Sequence, residues 1–262
     1  MIKVAVTGAA GRMGRLMVKN ITEDSETELV QAYDIREIGK DAGELAGIGK
    51  INVPILDARN IRETLNAEIL VDFTTPEGAI ENIKAASSKG VKLVVGTTGF
   101  NEEQRKIIEE CSKKVPAVVT PNFSIGVNVF WKIVEFAIRY LREYDIEICE
   151  AHHRFKKDAP SGTALKIAEI IRKALGEDRK IIYGREGICP RGNEIAVLAI
   201  RGGDVVGEHT VYFLGMGERL EITHRAHSRQ AFASGAMKAI KWIHNVEKPG
   251  LYSMDDVLGF KK

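Results

Sequence analysis

Short apolar runs alternate with helical periodicities through the first half of the chain. Residues 2–6 (Ile-Lys-Val-Ala-Val) read as a buried strand and residues 12–21 as a helix. A second strand pattern covers 28–33, and a glycine-rich loop follows over 41–49. Residues 69–73 form another apolar run, before a helical pattern over 78–89 that Gly90 closes. Residues 91–95 are strand-like, Asn101 and Gln104 have capping-box spacing ahead of a helix to about residue 113, and 117–119 read as a further strand. Strands that alternate with helices in this way imply a parallel sheet covered on both faces.

The texture changes after Asn122-Phe123-Ser124. One amphipathic helix spans 127–141, a strand 145–150, and a helix 163–175 that stops at Gly176. The remainder is β-rich, with strands over 194–201, 208–214 and 218–224. Turns at Gly202-Gly203-Asp204 and Gly215-Met216-Gly217 predict antiparallel hairpins between them. The last helix, 228–244, carries an apolar stripe (Ala231, Phe232, Ala236, Ile240, Ile243) that needs a surface to cover. That helix is therefore expected to return to the first domain.

The chain has 262 residues, 44% of them hydrophobic, enough for a sizeable core. Its 38 basic and 36 acidic side chains leave a net charge of +2, which argues against a nucleic-acid partner. No apolar run approaches the ~20 residues of a membrane span, and the N-terminal residues enter a strand pattern without a signal-peptide layout. The expected location is the cytoplasm. Cys111, Cys149 and Cys189 suggest neither a disulfide framework nor a zinc site.

Thr7-Gly8-Ala9-Ala10-Gly11-Arg12-Met13-Gly14 lies between the first strand and the first helix. Glycines there allow a tight turn and close approach to a pyrophosphate, which the helix N-terminus receives. The spacing is G-x-x-G-x-x-G, and Asp34 ends the second strand where an acid would bind a ribose hydroxyl. Arg36 is either a partner for the 2′-phosphate of NADPH or a solvated arginine. Gly96-Thr97-Thr98-Gly99 and Thr120-Pro121-Asn122-Phe123 follow two further strands of the same sheet. Loops beyond the carboxyl ends of such strands are where a nicotinamide and its ribose would lie. The expected cofactor is NADH or NADPH on a Rossmann-like, doubly wound α/β domain. A C-terminal α+β domain with an open mixed or antiparallel sheet completes the chain. The dinucleotide-binding domain is assigned to 1–125 with 236–262, and the substrate-binding domain to 126–235.

The densest chemistry lies in Glu150-Ala151-His152-His153-Arg154-Phe155-Lys156-Lys157-Asp158-Ala159-Pro160-Ser161-Gly162-Thr163. In an extended segment His152 and His153 point opposite ways, so one can face a substrate. Histidine suits proton transfer near neutral pH. Lys156 can donate to a carboxylate, Arg154 adds positive field, and Lys157 reads as a solvated side chain. Ser161-Gly162-Thr163 opens a helix whose N–H groups and hydroxyls suit an anion, or serves simply as its cap. Adjacent histidines are poorly placed to share one metal ion, so no metal site is expected. These groups suit a small di-anion that must be held and given a proton.

This segment resembles the signature of the 4-hydroxy-tetrahydrodipicolinate reductase (dihydrodipicolinate reductase) family, which serves the diaminopimelate route to lysine. The likeness extends to Asp72-Phe73-Thr74, Gly96-Thr97-Thr98-Gly99, Asn122-Phe123-Ser124-Ile125-Gly126-Val127, Gly207-Glu208-His209-Thr210 and Glu221-Ile222-Thr223-His224. It implies that His152 is the general acid/base and Lys156 a second proton donor and anion clamp. It further implies that His153, Gly162 and Thr163 contact the substrate. Gly8, Ala9, Ala10, Gly11, Arg12, Met13, Asp34, Gly96, Thr97, Thr98, Thr120, Pro121, Asn122 and Phe123 would then hold the cofactor. The resemblance also implies a homotetramer whose β-rich domains, here 126–235, meet at the centre. The rival readings are another NAD(P)-dependent dehydrogenase on the same plan, which leaves the histidine pair unexplained, and a non-catalytic NAD(P)H sensor, which has no need of the cationic loop.

Overall fold

The computed structural model describes residues 1–260. In chain order its first elements are β1 (Ile2–Thr7), α1 (Arg12–Glu23), β2 (Thr27–Asp34), α2 (Ala42–Ala46), β3 (Ile55–Asp57), a 3-10 turn (Ala58–Asn60) and α3 (Ile61–Thr64). They continue with β4 (Ile69–Asp72), α4 (Pro76–Ser88), β5 (Lys92–Val95), α5 (Glu102–Ser112), β6 (Pro116–Val119) and α6 (Ile125–Ala137). Next come β7 (Asp145–His152), α7 (Gly162–Leu175), β8 (Ile181–Ile182), β9 (Ile195–Arg201), β10 (Gly207–Gly215) and β11 (Glu218–Ala226). The chain closes with α8 (Gln230–His244), β12 (Gly250–Tyr252) and α9 (Met254–Val257). It divides into two units, Met1–Ile125 with the chain from Phe232 onward, and Gly126–Ala231. The return point at 231/232 falls inside α8, a few residues before the expected 235/236.

The first unit holds a seven-stranded parallel sheet in the order β12-β6-β5-β4-β1-β2-β3. The two-residue period of its strands sorts side chains into two layers. Ile2, Val4 and Val6 of β1, with Ile69 and Val71 of β4, pack in one layer with α1 and with Ala233, Ala236, Met237, Ala239, Ile240 and Ile243 of α8. Ala5 and Leu70 face the other, with Ile80 and Ile83 of α4 and Ile108 of α5. Ala231 and Phe232 of the expected stripe lie outside the buried set. Strand order reverses between β1 and β4, which opens a crevice at their carboxyl ends. The capping box is present: Gln104 N–H donates to Asn101 Oδ1 at 2.8 Å and Asn101 N–H to Gln104 Oε1 at 2.9 Å.

Several short elements carry no readable period. The loop expected over 41–49 contains α2, one turn started by Asp41 and ended by Gly47 at φ 76°. Strands β3, β8 and β12 are two or three residues long, too short to display alternation. Helix α6 starts two residues before the expected position and ends at Ala137. Its apolar spacing outlasts it because Ile138 and Leu141 still pack in the core from the turns that follow.

The second unit has a five-stranded mixed sheet, β11-β10-β7-β9-β8. β10 and β11 form the expected antiparallel hairpin. The hairpin expected at 202–204 does not form: β9 pairs parallel to β7, and β10 pairs antiparallel to β7 on its other side. Helix α7 is the crossover that a parallel β7/β9 pair requires. The 202–204 turn therefore crosses the carboxyl end of β7. It is pinned there by Gly202 N–H to His152 O at 3.0 Å and Arg154 N–H to Gly203 O at 3.2 Å. Helices α6 and α7 cover one face of this sheet, meeting Ile146, Ile148, Ile195, Val197, Val211 and Phe213. No described helix is long and apolar enough to cross a membrane.

Candidate active site

The crevice at the β1/β4 reversal is built on absent side chains. Gly8 sits at φ 75°, where L-residues are strained, and a Cβ on it would lie 2.5 Å from Phe73 O. A Cβ on Gly14 would lie 2.0 Å from Gly8 O, so only glycine lets α1 seat against the turn. Asp34, 6% exposed at the end of β2, accepts from Ala10 N–H at 3.0 Å on one oxygen. Its other oxygen accepts from Ile35 N–H at 2.8 Å and Arg36 N–H at 3.0 Å. The acid thus ties the glycine turn to the end of β2. Beside them opens a cavity of ≈ 790 Å³ lined in part by Gly8, Gly11, Asp34, Arg36, Arg59 and Arg62. A glycine cradle, a helix N-terminus, an acid and a cavity of this size fit a dinucleotide.

The other expected cofactor residues divide into surface and support. Arg12, Thr98 and Pro121 are exposed, whereas Ala9, Ala10, Thr97, Thr120 and Phe123 are buried. Thr97 donates its hydroxyl to Asp72 Oδ1 at 2.6 Å and accepts from Thr74 N–H at 2.9 Å. Asp72 is fully buried and also accepts from Thr7 Oγ1 at 2.7 Å and Asn82 Nδ2 at 2.7 Å. One carboxylate therefore joins the loops after β1, β4 and β5. The Phe123 ring is 2% exposed and meets Phe73 edge-on at 5.9 Å, while a Cβ on Gly96 would lie 2.2 Å from that same Phe73 ring. Thr120 Oγ1 receives Asn122 N–H at 3.3 Å, which shapes the turn after β6. Met13 packs partly against the core. The side chains of Thr97 and Phe123 are thus committed inward.

In the second unit, the alternation that buries Ile146 and Ile148 also buries Glu150 and His152 on the same face of β7. Glu150 is 0% exposed and receives four donors. His152 Nδ1 lies 2.5 Å from its Oε2, Arg201 reaches both oxygens at 2.8 and 2.7 Å, and Ser161 N–H lies 3.0 Å from Oε1. Burial raises the Glu150 carboxyl, but the bonds from His152, Arg201 and Ser161 outweigh it and hold the group at about 2. His209 of β10 stands opposite Glu150, and its ring meets that of His152 edge-on at 5.2 Å. Its Nε2 lies 3.0 Å from Ser161 Oγ, and burial with the neighbouring His152 pushes it down to about 3.

His153 follows the end of β7, half-buried, with the Phe155 ring 6.4 Å away. Lys156 Nζ lies 2.8 Å from both oxygens of Asp158. Lys157 is exposed. Ser161 is the N-cap of α7, its hydroxyl accepting from Ala164 N–H at 3.2 Å. Gly162 and Thr163 form the first turn, and nothing lies within 4 Å of a Cβ added at Gly162. Among the described residues no group of three or more His, Cys, Asp or Glu could hold a metal ion.

Sequence reasoning left Glu150, Arg201 and His209 without a role. Glu150 carried a signal, because it occupies a core-facing position two residues before His152. Arg201 lies 51 positions away from Glu150 and only strand pairing brings it there. Arg59 and Arg62 sit on elements with no readable pattern.

The family model for the dihydrodipicolinate reductase N-terminus matches residues 2–123, and that for the C-terminus matches 126–258. The 4-hydroxy-tetrahydrodipicolinate reductase of Archaeoglobus fulgidus is 59% identical over 260 residues, covering 98% of this chain and 100% of its own. That of Methanosarcina mazei is 54% identical over 264 residues, covering 99% and 100%. Among solved structures, the dipicolinate-bound dihydrodipicolinate reductase of Paenisporosarcina sp. TG-14 superimposes with a TM-score of 0.76 at 28% identity, covering 97% of each chain. The scyllo-inositol dehydrogenase of Lactobacillus casei with bound NAD(H) and scyllo-inositol, at TM-score 0.62 and 15% identity over 100% of this chain and 94% of its own, shares the fold. Matched through both of its units, the chain belongs to the dihydrodipicolinate reductase family.

Proposed function

We propose that this chain reduces 4-hydroxy-tetrahydrodipicolinate to tetrahydrodipicolinate with loss of water, using NADH or NADPH, in the diaminopimelate route to lysine. The relatives from Archaeoglobus and Methanosarcina carry that activity in their names, and the match to them spans nearly the whole chain. The observation that carries the reading is His152, bonded through Nδ1 to the buried Glu150, beside a loop that holds Lys156 and the uncrowded Gly162.

The reaction takes up one hydride and one proton and releases one water. When bound, a reduced nicotinamide would supply the hydride, which ring C4 of the substrate would receive. The first unit would hold the cofactor: Gly8 and Gly11 would leave room for the pyrophosphate at the N-terminus of α1, and Asp34 would accept from a ribose hydroxyl. The buried Asp72 ties the turns that carry Thr74 and Thr97 to each other. Hydride at C4 drives electron density through the conjugated ring toward nitrogen. His152 gives the proton that balances it, a step whose general-acid help contributes about 10²–10⁴-fold. Lys156 clamps a substrate carboxylate and adds positive field where negative charge develops. His153, Gly162 and Thr163 are assigned to contact the dicarboxylate, with the positive end of α7 adding favourable field there.

We also place the protein in the cytoplasm and assign it a homotetrameric state, built on the sheet face that α6 and α7 leave uncovered. Leu198 and Ile200 support this, being 36% and 54% exposed on alternate positions to the buried Ile195 and Val197. Light scattering is expected to give four times the chain mass.

The test of activity is oxidation of NADH or NADPH upon addition of fresh dihydrodipicolinate synthase product. Turnover is expected with that substrate. Oxidation only with a different keto acid would replace the reading with another dehydrogenase, and cofactor binding without any oxidation would leave a sensor.

A further inference from the structure

We propose that Glu150 and Arg201 are positioning residues for His152: Glu150 fixes the imidazole with its proton on Nδ1 and with Nε2 presented for proton transfer, and Arg201 locks Glu150 in place. This rests on His152 as the proton donor of the reaction proposed above.

An ionised carboxylate can only accept. Both Glu150 oxygens are engaged, Oε2 by His152 Nδ1 and an Arg201 N–H, Oε1 by the second Arg201 N–H and Ser161 N–H. Facing that carboxylate at 2.5 Å, Nδ1 must be the donor, which leaves Nε2 as the atom that exchanges a proton. The ring therefore presents one defined nitrogen in both of its protonation states. Glu150 does not take the proton, because three other donors already hold it as the anion. It stabilises the imidazolium and keeps Nδ1–H after Nε2 has given its proton away, as the buried acid does in catalytic triads. Solvent then restores the proton on Nε2.

The surroundings serve the same end. A Cβ on Gly207 would lie 3.1 Å from His152 Nε2, so glycine at the start of β10 keeps that edge of the ring uncrowded. The charged and titratable groups around the ring are Glu150 on β7, Arg201 on β9, His209 on β10, and Lys156 with Asp158 in the loop after β7. His209 is held neutral by burial, so it packs against the imidazolium without adding a second positive charge. Arg201 has a further duty: it donates to Ile200 O at 2.6 Å and Asp158 O at 2.7 Å. One guanidinium thus sets the position of Glu150 relative to the loop that carries Lys156. Register accounts for its placement, since Arg201 pairs with His152 across the parallel β7/β9 ladder.

The test is nitrogen NMR of the full chain carrying ¹⁵N-labelled histidine, read beside steady-state kinetics. Neutral His152 in the unmodified protein is expected as the Nδ1–H tautomer. In Glu150→Gln the Nε2–H tautomer is expected to appear, with kcat down about 100-fold and substrate KM within about threefold. Glu150→Asp, which keeps the charge, should restore part of both. Arg201→Met should leave Glu150 free to swing, giving mixed tautomers and a fall in kcat of about tenfold, whereas Arg201→Lys should recover some of it. NADPH affinity, which belongs to the other unit, serves as the control for folding. The proposal is overturned if the unmodified protein carries Nε2–H, or if Glu150→Gln binds NADPH normally and retains both tautomer and kcat. Should Glu150→Gln fail to fold, unchanged tautomer and kcat in Arg201→Met overturn the proposal just as well. A fixed Nδ1–H tautomer in a protein that does not turn over the substrate would overturn the assigned reaction and leave the positioning intact.

Discussion

The ammonium of Lys156 lies 2.8 Å from each carboxylate oxygen of Asp158, two residues along the same loop. With Lys156 as the proposed clamp for a substrate carboxylate, Asp158 would compete for the same ammonium, and its side chain is 60% exposed. Although partial burial raises its carboxyl, the Lys156 ammonium holds it below the ordinary value. Exposed pairs of this kind contribute about 0–1 kcal/mol. Asp158→Asn is therefore expected to lower substrate KM by up to about fivefold with kcat little changed. A raised KM in initial-rate measurements would show that Asp158 does not compete with the substrate.

His152→Ala and Lys156→Ala should separate two roles. The first is expected to lose mainly kcat, by about 10²–10⁴-fold, with KM nearly kept. The second should lose kcat and raise KM together, because it removes both field and clamp. Near-normal turnover in either variant removes that residue from the chemistry.

Gly14→Ala brings a methyl group to 2.0 Å from Gly8 O, a contact relieved only by moving α1 off the glycine turn. Cofactor affinity measured by fluorescence titration should fall by at least about tenfold. The methyl of Gly162→Ala meets nothing within 4 Å beyond its chain neighbours and its own helix backbone, so thermal stability should not fall while substrate KM rises. An unaltered KM would mean that the substrate does not approach α7 there.

Arg36, Arg59 and Arg62 line the same cavity as Asp34. Arg36 Nε lies 3.8 Å from Asp34 Oδ1, and Arg59 is held by Asp57, its Nη2 2.7 Å from Oδ2. A hydrogen bond to a charged partner is worth about 1.5–3 kcal/mol. If Arg36 meets a 2′-phosphate, Arg36→Ala should raise KM for NADPH about 10–100-fold and leave that for NADH nearly unchanged. Equal effects on both cofactors would assign Arg36 to the solvated surface instead.

Acid should destabilise the second unit in two stages. Protonation of His209 is easier unfolded, at an ordinary 6.5, than folded, at about 3. Its contribution is complete above about pH 6.5 and is lost as pH falls toward about 3. Glu150 drops from an ordinary 4.5 to about 2 on folding, so its contribution, on the order of 3 kcal/mol, is present above about pH 4.5 and disappears as pH falls through about 2. Urea unfolding between about pH 7 and about pH 4 should follow His209 first. His209→Asn should flatten that part of the curve, and an unchanged slope would refute the assignment.

Local patterns in the chain were enough to reveal the βα alternation of the first unit, the glycine turn with Asp34 twenty-odd residues on, and the His152-to-Thr163 segment. Each of these is a regularity within a short stretch: a period of two or 3.6, a glycine spacing, a dense motif. The 202–204 turn looked like a hairpin because turn chemistry reports only where the chain reverses, and not which strand it then joins. Pairing is settled by which buried faces match, and the α7 crossover places β7 between β9 and β10. That placement gathers His152, Ser161 and Arg201 around the Glu150 carboxylate, with His209 opposite it. Arg201 reaches Glu150 because adjacent strands lie about 4.8 Å apart, a proximity that 51 intervening residues conceal from any reading of the chain in order.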